Sequence, residues 1–306
     1  MTTIPDLTSS DSVGRPDSSV PLTVDRRIGL SVEAFRAEYL LPNRPVVIAD
    51  ALKGWAALEK WNPRMFAERY PEKVITFRDG SQSTMAAFIE RVMNSSPRNP
   101  APYWTNAPVR EHFPELLEDI DPKLGYFSPN WAARQYLHRG MAASLHRGAQ
   151  IEIYIGGNGG AFPILHWDGL STHAFLMQVY GVKRYWVWPP SETPNLYPNA
   201  DLPNTSPIRD VDHPDLEKYP RFAHARGCSF TLSPGELLFV PSRWWHTARM
   251  ETPSITLSIN TVNASNWRNF AEDMTRKASG LGRLAKAAYL SGAGAVNGLV
   301  DALGGM

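Results

Sequence analysis

From Gln150 onward the chain alternates apolar and polar positions, or runs them in short blocks: IEIYIGG, HAFLMQVYG, KRYWVWPP, CSFTLSPG, ELLFVP and SITLSINTV, each bounded by turn residues. Blocks of this length, rich in β-branched and aromatic residues, predict strands rather than helices. Gly181-Val182 predicts a Gly-X hairpin between two of them, and Ser233-Pro234-Gly235 a turn between two more. Successive strands joined this way predict a mainly β fold, a sandwich or barrel of the jelly-roll kind. In the last block Thr256, Ser258 and Asn260 alternate with Ile255, Leu257 and Ile259, so one face is polar and the other apolar. A polar barrel lumen and an edge strand facing water both fit that alternation.

The N-terminal half reads differently. SVEAFRAEYL places Val32, Phe35 and Tyr39 on one helical face with Ser31 as N-cap, Asn62-Pro63 opens a second helix through MFAERY, and MAAFIERVM forms a third. PVVIAD and VITFRD are short strands. Residues 1–24 are rich in Ser, Asp, Thr and Pro with almost no apolar period, and predict a disordered leader. The main domain is expected over 25–265. A helical extension follows over 266–306, with Gly280 and Gly282 as interruptions, a weakly specifying tail, and a role in pairing two subunits into a homodimer.

Composition narrows the function classes. With 31 basic against 30 acidic residues and a net charge of +1, the chain has no broad basic surface for nucleic acid. No apolar stretch approaches the ~18 residues a membrane helix needs. The single cysteine, Cys228, cannot form an internal disulfide, and the N-terminus lacks signal-peptide character, so a cytoplasmic location is expected.

The chemistry concentrates in ILHWDG. His166 and Asp168 are two residues apart, and on extended backbone both side chains point to the same side. His246, in FVPSRWWHT, supplies a third ligand 80 residues downstream. Two imidazoles and a carboxylate on one face of a metal leave coordination positions open, as non-haem Fe(II) oxygenases require. A strand-end histidine bonded to a backbone carbonyl, next to a turn-capping aspartate, is the plainer reading of the same pair. Lys183, seventeen residues after His166, is placed either to hold a distal carboxylate or as a solvated lysine at a hairpin tip. His173 is expected as a packed, hydrogen-bonded residue, and Trp167, Trp244 and Trp245 as core.

LHWDG, QVYGVKRYWVWPP, LSPGELLFVPSRWWH and ITLSIN together resemble the Jumonji C, cupin-like domain over roughly residues 25–265, nearest to the hydroxylase branch that includes factor-inhibiting-HIF. The resemblance implies a double-stranded β-helix with N-terminal and C-terminal helices packed outside. It also implies Fe(II) on His166, Asp168 and His246, with O2 and 2-oxoglutarate as cosubstrates. By position, Lys183 matches the lysine that grips the 2-oxoglutarate C5 carboxylate, Asn260 an asparagine near the cosubstrate, and Tyr154 a side chain approaching it, with Thr172 as a hydroxyl partner. Pro163 departs from the pattern: relatives carry Thr or Ser there, and Thr172 or Tyr154 is the expected substitute. The implied reaction is oxidation of a C–H bond in a peptide, protein or small molecule with release of succinate and CO2. A cupin that uses its metal as a Lewis acid for isomerisation or hydrolysis, and a catalytically silent binding protein, are the competing classes. Histone demethylation is the less favoured variant within the family.

Overall fold

The computed structural model describes residues 22–121, 123–134, 150–276 and 279–303. Residues 1–21 of the expected leader lie outside that set, as do His138 and His146.

Twelve strands organise the described chain. They are β1 (Asp25–Arg27), β2 (Val46–Ile48), β3 (Val74–Thr76), β4 (Gln82–Thr84), β5 (Trp104–Pro108), β6 (Glu152–Gly156), β7 (His173–Tyr180), β8 (Lys183–Trp188), β9 (Cys228–Leu232), β10 (Leu237–Val240), β11 (Trp245–Met250) and β12 (Ser254–Thr261). A seven-stranded sheet runs β1-β2-β10-β7-β12-β6-β5, and a three-stranded sheet runs β11-β8-β9. The segment ahead of the His-X-Asp motif adds to the smaller sheet, because Phe162 donates to Ala248 and His166 and His246 exchange backbone hydrogen bonds.

The two sheets pack as a jelly roll because β7, β10 and β12 are patterned on both faces. Phe175, Met177, Leu237, Phe239, Leu257 and Ile259 point outward into the largest core cluster, beneath the N-terminal helices. Ala174, Leu238 and Val240 point inward and meet Tyr185, Val187 and Ala248 of the smaller sheet. Fully burying one such large apolar side chain is worth about 1.5–3 kcal/mol, so both interfaces contribute to stability. β12 lies between β7 and β6, which removes the edge-strand reading of its polar face.

The two turns correct the expectation of hairpins. β7 pairs with β10 and β12 in the large sheet, whereas β8 pairs with β11 and β9 in the small one, so Gly181-Val182 carries the chain from one sheet to the other. Ser233-Pro234-Gly235 does the same between β9 and β10. Gly181 has φ +71°, and a Cβ there would meet the Pro253 carbonyl oxygen at 1.9 Å. Only glycine fits such a corner without movement.

The helices form where the apolar spacing predicts. α1 (Val32–Phe35) is capped by Ser31 Oγ accepting from Ala34 N, and runs on into a wider turn over Arg36–Leu40. α2 (Ala57–Lys60) precedes α3 (Pro63–Arg69), which is capped by Asn62, and α4 (Met85–Met93) is capped by Thr84. α5 (Val109–His112) follows β5. At the C-terminus α6 (Trp267–Thr275) and α7 (Gly280–Ala302) pack on Trp131 and Val262. The helical path breaks ahead of Gly280, while Gly282 sits inside α7 without interrupting it. The tail expected to specify little is helical through Ala302, where alanine and leucine compensate for the glycines.

Candidate metal centre

His166 and His246 are an antiparallel pair that exchange main-chain hydrogen bonds, 3.1 Å from His166 N to His246 O and 2.7 Å in return. Directly opposed residues of such a pair project to the same face, so their rings meet with centroids 4.4 Å apart. Asp168 follows two residues later on extended backbone (φ −62°, ψ 139°) and returns to that face. One ligand atom from each of the three lies within 4.8 Å of the others, and Asp168 Oδ2 is 3.7 Å from His246 Nε2. The alternate residues Trp167 and Trp245 point the other way and pack edge to face at 4.6 Å in the outer core.

Both imidazoles are held in the form that binds metal. His166 Nδ1 lies 3.0 Å from the Ile164 carbonyl and His246 Nδ1 3.1 Å from the Trp244 carbonyl. A carbonyl only accepts, so each Nδ1 carries the proton and each Nε2 keeps a free lone pair toward Asp168. Burial depresses the basicity of His166, which favours the neutral ring. Phe162 stacks on it at 4.7 Å and fixes its plane. The donor set therefore fits a divalent metal held by two nitrogens and one carboxylate, with further positions open toward the chamber.

That chamber, about 580 Å³, lies between the two sheets and is lined by the three ligands together with Tyr103, Tyr154, Lys183, Tyr185, Thr256 and Ser258. Lys183 is only 3% exposed, so the solvated reading of this lysine is excluded. Its Nζ donates to Tyr103 Oη at 2.7 Å and lies 5.1–6.0 Å from the ring centres of Tyr103, Tyr154 and Tyr185. Among the described residues no carboxylate pairs with it. Burial brings its pKa down from 10.5 to about 7. A buried ammonium without a counter-charge, facing an open chamber, is a seat for an anion.

Proton counting separates the two nearby phenols. Tyr154 Oη donates to Glu152 Oε2 at 3.0 Å and accepts from Asn106 Nδ2 at 2.7 Å, so its one proton is committed. Tyr103 Oη accepts from Lys183, and its own proton has no acceptor among the described residues. Burial raises both phenols well above their ordinary range, which keeps them protonated. Thr172 and Asn260 bond each other, Asn260 Nδ2 to Thr172 Oγ1 at 2.7 Å, and neither lines the chamber. Pro163 faces an outer groove, and hydroxyls of Thr247 and Ser258 line the chamber instead. His173 is fully buried, with Nδ1 accepting from Ser242 N at 3.0 Å and Nε2 2.9 Å from Ser265 Oγ.

Tyr103 and Asn106 are the site residues that the sequence pattern did not expose. Asn106 sits on β5 and Tyr103 just ahead of it; the register of β5 slips between Trp104 and Ala107, and Asn106 takes φ +56°. A bulge of this kind re-aims side chains and erases the two-residue period.

A family described as cupin-like domain matches residues 32–272. Lysine-specific demethylase 8 of Xenopus tropicalis is 32% identical over 74% of this chain and 50% of its own length. Lysine-specific demethylase JMJ30 of Arabidopsis thaliana is 30% identical over 81% and 56%, and Jumonji C domain-containing protein 5 of Drosophila melanogaster 25% over 74% and 57%. The chain thus spans about half the length of these relatives. Since the matched span takes in β2 through β12 and every residue lining the chamber, the chain belongs to the cupin-like domain family, in its Jumonji C group.

Proposed function

We propose that this protein is an Fe(II)- and 2-oxoglutarate-dependent oxygenase that hydroxylates a C–H bond of a peptide, protein or small-molecule substrate. The observation that carries the reading is the pairing, inside one chamber, of an open two-histidine, one-carboxylate face with the uncompensated buried ammonium of Lys183. A Lewis-acid cupin has no use for that ammonium, and a silent binding protein has no use for the open metal face. With iron bound, 2-oxoglutarate and O2 supply an oxidant for an unactivated C–H bond, and the cosubstrate leaves as succinate and CO2.

The chain's own groups hold and shield. His166, Asp168 and His246 would hold the metal, and the backbone carbonyls of Ile164 and Trp244 keep both rings in the ligating tautomer. Lys183 supplies the charge for the distal carboxylate of 2-oxoglutarate, and Tyr103 adds the free phenolic proton beside it. Tyr154, fixed by Asn106 and Glu152, forms a rigid wall rather than a donor. Phe162 and Leu176 limit water access. The relatives' names point to lysine-specific demethylation by those proteins. Carbon hydroxylation is favoured here because Arg78 and Lys286, neither paired among the described residues, line the groove outside the metal, where a methylated lysine would be repelled. A cytoplasmic setting accords with Fe(II) chemistry and with one partly buried cysteine, Cys228, whose thiol burial raises to about 11.

The test is succinate formation from 2-oxoglutarate by the Fe(II)-loaded protein. His166→Ala, Asp168→Ala and His246→Ala should each abolish it and weaken Fe(II) binding. Full turnover in any of the three removes that residue from the site.

A further inference from the structure

Two elements outside the jelly roll each bring a cation to the groove next to the metal centre. The first is the β3–β4 hairpin, whose tip is closed by Phe77 N to Ser81 O at 2.8 Å and anchored by buried Phe77 against Phe88. It carries Arg78 at the junction of two cavities, one of about 1260 Å³ that reaches His166 and one of about 1230 Å³ that reaches Tyr103. Asp79, its neighbour, is turned back onto Ser81 N and Oγ at 2.9 and 2.6 Å, so it does not neutralise Arg78. The second element is α7, which places half-buried Lys286 in the wall of the first cavity.

The remaining charges of that cavity do not cancel these two. Asp273 accepts from Ser171 Oγ at 2.5 Å and pairs with Arg276, so it is already compensated. Among the described residues neither Arg78 nor Lys286 has a hydrogen-bond or ion-pair partner, and Asp201 alone opposes them. The cavity therefore carries an excess of positive charge. It shares Phe162 and His166 with the lining of the inner chamber, so a ligand in it lies against one of the proposed metal ligands.

We infer that Arg78 and Lys286 form a substrate clamp for a carboxylate, and that the substrate carries this anionic group next to the C–H bond presented to the metal. The inference rests on the oxygenase reading and adds the substrate class to it. Arg78 supplies a planar fork for bidentate pairing and Lys286 a point charge from a second element lining the same cavity.

The protein loaded with Mn(II) and N-oxalylglycine, an unreactive isostere of 2-oxoglutarate, tests this without turnover. Mn(II) broadens the proton resonances of molecules bound near it. Glutarate probes for a free acid, N-acetylglutamyl amide for a peptide-borne carboxylate, and N-acetyllysine amide is the cationic control. Broadening of either acidic probe, weakened about fivefold in Arg78→Gln or Lys286→Gln and more than tenfold in the double variant, is the expected result. Whichever acid is broadened more identifies the source of the carboxylate. Equal or stronger broadening of the lysine probe, or acidic binding unchanged in the double variant, overturns the clamp. Failure of the wild-type protein to retain Mn(II) with N-oxalylglycine instead overturns the oxygenase reading, and the clamp with it.

Discussion

The buried lysine is the residue whose physical state is most constrained. Lys183 has a pKa of about 7 against about 10.4 for a free lysine, because burial disfavours its charge. The unfolded chain then binds the extra proton between these values, so folding stability rises with pH from about 7 to about 10.4, and the full penalty applies below 7. Lys183→Met removes the buried charge at similar volume, and should stabilise the ligand-free protein at pH 6.5 by about 1 kcal/mol or more. Thermal unfolding with and without 2-oxoglutarate checks this: the variant should melt higher alone and show no ligand-induced rise. An unchanged or lower melting temperature contradicts an uncompensated ammonium. In the wild type, 2-oxoglutarate affinity should fall by up to about tenfold per pH unit above 7, since binding then requires proton uptake. Tyr103, Tyr154, Tyr185 and Thr256 are the groups packed about this lysine, and the three phenols remain protonated in that range.

At the scale of elements, the corner between β7 and β8 decides where that lysine points. Gly181 turns the chain from one sheet to the other, and Lys183 follows as the first residue of β8. Gly181→Ala places a Cβ on the Pro253 carbonyl at a positive φ, which should cost about 2–4 kcal/mol in urea unfolding. A loss below about 0.5 kcal/mol, the ordinary scale of surface changes, would show that the corner is not tight. Strands β6 to β10 and β12 were readable because each is a short apolar or alternating block, and the two-residue spacing of His166 and Asp168 already put both on one face. What the period could not show was sheet membership. A tight glycine turn looks the same whether it closes a hairpin or crosses between sheets, so the sequence predicts hairpins at Gly181 and Ser233–Gly235 where the chain in fact changes sheets. β11 was hidden because its residues, WHTARM, mix ligand, core and salt-bridge roles. β5 was hidden by the bulge at Asn106.

For the whole molecule, α7 links the site to the surface. It contributes Lys286 to the outer groove, and it leaves Leu281, Leu284, Val296 and Leu299 exposed, with Leu303 exposed just after its end. Apolar residues at such spacing on a helix form a stripe that a second copy of the chain can cover. Sedimentation should therefore give a dimer, and Leu284→Glu with Leu299→Glu should give a folded monomer. A wild-type monomer contradicts the pairing. No described helix is long and apolar enough to cross a membrane. In the proposed reaction one chamber seats both a metal and the carboxylate-bearing ligand that chelates it. Anaerobic titration of 2-oxoglutarate into the Fe(II)-loaded protein tests it most directly, through the visible metal-to-ligand absorption that bidentate chelation produces. The band is expected in the wild type, with Lys183→Ala requiring about ten to a hundred times more 2-oxoglutarate for half-saturation at unchanged Fe(II) affinity. No band in the wild type, or equal half-saturation in the two proteins, would contradict it.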